Sequence, residues 1–227
     1  RGLGDVYKRQ PLSRRKHLIE KARELNAIIV EDDYEFEMSF LEPALPALKS
    51  LDEDGRVIYV GSFSKSLFPG MRLGYLVGPA PFIKEARALR ASVLRHPPGH
   101  IQRTAAYFLS LGHYDALIKR MSKQYEERHL EMEKSLIKFD LTIAGKAKHG
   151  GSSFWIETPK HIKAIELAQN LLNMNVVIEP GDPFFVGENY PQNFIRLAYS
   201  SIPTNKIAPG IDCLLYTSPS PRDALTS

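Results

Sequence analysis

Three short apolar runs, each leading into a loop, limit this chain more than any other feature. Ala27-Ile28-Ile29-Val30 is wholly apolar, Arg56-Val57-Ile58-Tyr59-Val60 follows the polar turn 52–55, and Arg72-Leu73-Gly74-Tyr75-Leu76-Val77 comes third. Short runs without alternation are the pattern of strands buried on both faces of a parallel sheet. Ahead of the first lies Leu12 to Asn26, rich in Arg, Lys, Glu and Leu, with Leu18, Ile19, Ala22 and Leu25 at helical spacing. Strands alternating with helices predict an α/β domain with a mostly parallel sheet.

The pattern then changes. Pro81 to Arg95 and Ile101 to Leu111 read as helices separated by the breaker His96-Pro97-Pro98-Gly99, and a long helix is expected from His113 to Phe139. After Gly150-Gly151 come a strand over 153–157, a helix over 161–174, and strands over 176–178 and 193–199. Thr158-Pro159 reads as an N-cap with proline at the first helical position. This second block is α+β, so the expected division is a partial first domain, 11–112, followed by a long connecting helix and small domain, 113–212.

Both ends read as foreign to this pattern. Residues 1–10 show neither period, and residues 213–227 break off abruptly from what precedes them; both resemble translated sequencing-adapter DNA and are set apart from fold reasoning. The full chain of 227 residues carries 30 basic and 26 acidic residues, net +4. Without Arg1, Lys8, Arg9, Arg222, Asp5 and Asp223 the balance is 26 − 24 = +2, and Cys213, the one cysteine, goes with the tail. A single cysteine excludes an internal disulfide or a cysteine-based zinc site. A near-neutral interior without a basic block offers no electrostatic footprint for nucleic acid. No run of 18 apolar residues provides a membrane span, and the expected location is the cytoplasm.

Three segments carry candidate chemistry, and in open α/β sheets ligands bind beyond the carboxyl ends of strands. Glu31-Asp32-Asp33-Tyr34 follows the first strand. An acid and a nearby phenol suit a ligand with a cationic ring nitrogen and a neighbouring oxygen; a hydrated acidic loop or a hard-cation site through Glu35 and Glu37 is the competing reading. Gly61-Ser62-Phe63-Ser64-Lys65-Ser66 follows the second strand, with Arg72 seven residues after the lysine. A lysine can become a Schiff-base nucleophile, and small residues, hydroxyls and an arginine suit a phosphate. Asn193-Phe194-Ile195-Arg196-Leu197-Ala198-Tyr199 places one arginine among apolar neighbours. Its guanidinium needs a carboxylate, either internal or a substrate's.

Taken in this order, the acid–x–Tyr element, Ser-x-x-Lys with the later arginine, and the Ile-Arg-Leu strand resemble fold-type I, pyridoxal-phosphate-dependent class I/II aminotransferases. The spellings 31–35, 61–70, 96–102 and Glu179-Pro180-Gly181-Asp182-Pro183-Phe184-Phe185 are similar to MocR-type regulators, GntR-family transcription factors that join a winged-helix head to an aminotransferase-like domain. The resemblance covers 11–212. It implies that Lys65 holds pyridoxal 5′-phosphate as an internal aldimine and then moves the proton at the substrate α-carbon. Asp32, rather than Asp33, keeps the pyridine nitrogen protonated, and Tyr34 bonds the ring's phenolic oxygen and tunes the linkage. Ser62 and Arg72, with Ser64 as helper, hold the phosphate, and Arg196 clamps an amino-acid carboxylate. No metal is implied. The ligand is an amino acid or amine, a homodimer is implied, and DNA would be bound only by residues outside this chain; the alternative is a stand-alone amino-acid aminotransferase. The family's earlier phosphate loop, ring-stacking aromatic and asparagine have no counterpart in 11–212, which predicts a truncated sheet with apolar faces left bare.

Overall fold

The computed structural model describes residues 11–33, 39–41, 46–139, 141–144 and 150–217, with side chains to 214. Tyr34 and the two outer ends, 1–10 and 218–227, lie outside the described residues. The chain divides into two units, and the division falls between Ser122 and Lys123, inside the long helix.

In the first unit, α1 (Leu12–Glu24) leads to β1 (Ile29–Asp32), and a short 3-10 turn, Leu48–Leu51, precedes β2 (Val57–Ser62). A second 3-10 turn, Pro69–Met71, precedes β3 (Gly74–Val77), followed by α2 (Ala80–Val93) and α3 (Gly99–Ser110). The strands lie in the order β1-β2-β3. β1 and β2 are parallel, with Ile29 opposite Val57 and Asp32 opposite Val60, whereas β2 and β3 are antiparallel. The expected sheet is therefore mixed in what is present. Ile19, Leu48 and Val57 form the core beneath one face, with Ile29 and Leu51 against it. Burial on both faces, expected of all three strands, fails for β3, which is exposed throughout, and for Val30 at 64% exposure. Three strands have too few neighbours to cover both faces, as expected of a truncated sheet.

Two carboxylates set the approach to these strands. Glu31 accepts the backbone N–H groups of Leu48 (2.7 Å) and Lys49 (2.9 Å), satisfying donors that begin the 3-10 turn. Asp52 accepts N–H from Arg56 and Val57, both at 2.9 Å, and an ion pair from Lys49 at 2.9 Å. Burial by itself would raise the Asp52 pKa; the Lys49 ammonium and the Val57 and Arg56 donors more than offset it and hold the carboxyl at about 2. The polar turn is thus a pinned start for the strand that ends at Ser62.

In the second unit, α4 (His113–Lys138, begun in the first) is followed by β4 (Thr142–Ile143), β5 (Ser153–Glu157), α5 (Ala164–Leu172), β6 (Glu179–Pro180), β7 (Phe194–Ala198) and α6 (Thr204–Thr217). The antiparallel sheet runs β4-β5-β7-β6. Leu136, Ile156, Leu171, Ile195, Tyr199 and Ile207 are fully buried in its core. Burying each such side chain contributes roughly 1.5–3 kcal/mol.

Three local expectations change here. The strand expected over 176–178 is replaced by the two-residue β6 at 179–180, because only those residues find a partner on β7. Thr158 does not cap a helix; its hydroxyl donates to the Asn193 carbonyl (2.8 Å) while the Asn193 amide donates to the Thr158 carbonyl (2.5 Å), and α5 begins at Ala164. Helix α6 continues through Thr217 into the segment set apart by sequence, since Ile211 and Leu214, three residues apart, both reach the core.

His129 on α4 stacks on Phe154 (centroids 4.7 Å apart), and its Nδ1 lies 3.1 Å from the Tyr199 hydroxyl. That hydroxyl donates its single hydrogen to the Gly151 carbonyl at 2.6 Å, so Nδ1–H is the donor to it. Burial lowers the His129 pKa below its ordinary 6.5, with Glu133 opposing in part. The unfolded chain therefore binds this proton more readily than the fold. The stability that neutral His129 provides is complete above pH 6.5 and is lost as pH falls, by at most about 1.4 kcal/mol per pH unit. Urea unfolding of wild type and His129→Asn between pH 5 and 8 should show the acid-side decline shallower in the variant; equal slopes would remove this role from His129.

Candidate active site

The carboxyl ends of β1 and β2 bring together residues that the sequence separates by thirty positions. Alternation along paired strands puts Val30, Asp32, Ile58, Val60 and Ser62 on one face and Glu31, Tyr59 and Gly61 on the other. This separates the two neighbouring aspartates. The Tyr59 hydroxyl donates to Asp33 Oδ2 at 3.4 Å, and burial, with the Asp33 carboxylate second, pushes the Tyr59 pKa up. Asp32 is exposed and makes no hydrogen bond or ion pair among the described residues.

Ser62 ends β2, and its Oγ accepts the Ser64 N–H at 3.1 Å, a side-chain turn that fixes the start of the loop. The hydroxyl hydrogen is left to donate elsewhere. Leu67 N–H to Phe63 O at 2.9 Å closes one helical turn around Lys65, which is exposed, while the adjacent Ser66 is fully buried and its hydroxyl has no partner among the described residues. Arg72 closes the Pro69–Met71 turn at φ +46°, a left-handed conformation that costs a non-glycine residue about 1 kcal/mol or more. Its side chain is exposed just before β3. A methyl on Gly74 would sit 2.8 Å from the Gly61 carbonyl oxygen, so only glycine permits this backbone approach beside Ser62.

Arg196 belongs to the second unit. It sits on β7 opposite Trp155 of β5 and Glu179 of β6. Its Nε donates to Ser153 Oγ (3.1 Å), its Nη1 donates to Glu179 Oε2 (3.0 Å), and its Cζ lies 5.8 Å from the Phe184 ring centroid. Of the two partners left open by sequence, the internal carboxylate is the one in contact. Sequence reasoning missed Glu179 as that partner, although it opens the segment 179–185; cross-strand register carries the pairing. Among the described residues no group of three or more His, Cys, Asp or Glu could hold a metal ion, and no helix is long and apolar enough to cross a membrane.

Known proteins resemble this chain in sequence and fold. The chain is 56% identical over 201 residues to the HTH-type transcriptional regulator TauR of Rhodobacter capsulatus, covering 88% of this chain and 42% of that protein. It is 31% identical over 208 residues to a 2-aminoadipate transaminase of Thermus thermophilus, covering 88% of this chain and 51% of the enzyme. It therefore spans about half the length of such relatives. Among solved structures, the α-aminoadipate aminotransferase LysN of Thermus thermophilus, holding N-(5′-phosphopyridoxyl)-L-leucine, superposes with a TM-score of 0.80 at 30% identity, over 91% of this chain and 54% of that one. Pyrococcus horikoshii kynurenine aminotransferase matches at the same score and identity, over 90% of this chain and 51% of that one. The fold is that of fold-type I pyridoxal-phosphate-dependent aminotransferases, in truncated form. A family model described as aminotransferase class I and II matches residues 4–214, and the chain belongs to that family.

Proposed function

We propose that this chain is the pyridoxal-phosphate-binding, aminotransferase-like domain of a MocR-type regulator, and that it senses an amino acid or amine. The observation that carries this reading is the loop 62–72, where an exposed lysine lies between a serine-capped turn and an exposed arginine beside glycine-only backbone. The 56% identity to a transcriptional regulator supports the regulatory half.

The residues fit the cofactor. Lys65 is free to make the covalent link and, once displaced, to move a proton at the ligand α-carbon. Asp32, without a side-chain partner among the described residues, is suited to hold a proton on the ring nitrogen. Tyr34 is assigned to the ring oxygen by the family resemblance alone. Ser62 keeps a hydroxyl hydrogen for the phosphate, Arg72 brings a guanidinium, and Ser64 assists. Arg196 takes the ligand's acid group. When bound, the cofactor supplies an electron sink for bonds at the ligand α-carbon. The intact regulator would work as a homodimer in the cytoplasm, with DNA bound by a separate head.

The test uses the protein extended to the full length of its regulator relatives. Cofactor addition should produce the visible absorbance of a lysine-linked form, an amino-acid or amine panel should perturb it, and the same ligand should alter affinity for the gene's own upstream DNA. Rapid amino-group exchange with a 2-oxo acid and no DNA binding would instead favour a stand-alone aminotransferase.

A further inference from the structure

A guanidinium offers two forks to a carboxylate, one from Nε and Nη2, the other from Nη1 and Nη2. On Arg196 each fork has one prong engaged inside the protein: Ser153 Oγ holds Nε and Glu179 Oε2 holds Nη1. Nη2 makes no hydrogen bond among the described residues. An acid group arriving at Arg196 therefore finds no complete fork. If it displaces Ser153, it lies beside a negatively charged neighbour; if it displaces Glu179, it breaks an ion pair. The Arg196 side chain is 25% exposed and that of Glu179 48%, so both are within reach of a ligand from solvent.

Several contacts hold Glu179 in this place. It is the direct cross-strand partner of Arg196 on β6. The next turn is fixed by Gly181, whose N–H donates to the Phe194 carbonyl at 2.7 Å. A methyl on Gly181 would meet that oxygen at 2.7 Å and the Trp155 ring at 2.8 Å, so the close packing admits no side chain. Phe184, three residues further, covers the guanidinium from the ring side.

We propose that Glu179 is a resident competitor for the acid seat on Arg196 and thereby sets the threshold at which an acid-bearing ligand is recognised. This rests on the reading of Arg196 as the acid-binding residue. Glu179 weakens the binding of every ligand whose acid group uses Arg196, and is indifferent to amines that lack one.

Glu179→Gln keeps size and one hydrogen-bonding oxygen but removes the charge. In the full-length, cofactor-loaded protein, dissociation constants for L-alanine, L-leucine, L-glutamate and L-phenylalanine are measured by calorimetry and by cofactor absorbance. The matched amines ethylamine, 3-methylbutylamine and 2-phenylethylamine serve as controls. The amino acids that bind should tighten about two- to five-fold in the variant, the range of a partly exposed ion pair, and the gain should shrink in high salt. The amines should not change. Glu179→Ala gives a second reading should the glutamine variant lose its fold. Unchanged or weaker amino-acid binding in a folded variant, an equal gain for the amines, or no binding by any of the four amino acids overturns the proposal. Arg196→Lys separates the two levels: it should cost amino-acid affinity about ten-fold or more by losing both forks. If it costs nothing, the assignment of Arg196 itself fails.

Discussion

Lys65→Ala in the full-length protein should abolish the visible absorbance expected of a lysine-linked cofactor and reduce proton exchange at the α-carbon of a bound amino acid by about 10²–10⁴-fold. The lysine is exposed and makes no hydrogen bond or ion pair among the described residues, so its loss should change stability by no more than about 0.5 kcal/mol. The surrounding loop is held by Ser62 Oγ on the Ser64 N–H and by Leu67 N–H on the Phe63 carbonyl, neither of which needs the lysine side chain. Cofactor should still bind, more weakly and without the covalent shift in its spectrum. α-Deuterium exchange and an absorbance titration on the purified variant are the measurements. A variant that retains the lysine-type band would place the covalent link on another residue and remove the centre of the proposed site.

Ile195→Ala should destabilise the second unit by about 3 kcal/mol, within the 2–5 kcal/mol range of such truncations. Ile195 is fully buried and lies on β7, an interior strand with β5 on one side and β6 on the other, opposite Ile156 and Pro180. A cavity there loosens both neighbours of the strand that carries Arg196. Trp155, the only tryptophan of this chain, sits opposite Arg196 and reports the loss directly. Urea unfolding followed by its fluorescence should show a lower midpoint with little change in slope. A loss below about 1 kcal/mol would mean that the sheet closes over the missing methyl groups and that β7 is less rigid than its burial suggests.

The legible parts of this molecule were those fixed by local pattern. Ser153–Glu157 is a strand with the bounds its apolar run implies, and the long helix ends within a residue of expectation. The Asp-x-Tyr spacing favours Asp32 over Asp33 as the residue at the ring nitrogen; what the structure adds is a contact of the Asp33 carboxylate with the Tyr59 hydroxyl. What the sequence hid depends on partners far along the chain. Glu31 looked like part of an acidic ligand site but serves the amides of residues 48 and 49. Thr158 looked like a helix cap but is claimed by Asn193, thirty-five residues away. The Glu179–Arg196 pair follows from the register of β6 on β7, and a two-residue strand containing proline gives no periodic signal.

The left-handed backbone at Arg72 has a consequence for how this protein responds to selection. Glycine would hold the same φ of +46° without the steric penalty, so a search for thermal stability alone would favour it there. It would also remove the guanidinium proposed above to meet the cofactor phosphate. If Arg72 serves the phosphate as proposed, durability and ligand affinity pull toward different residues at this position.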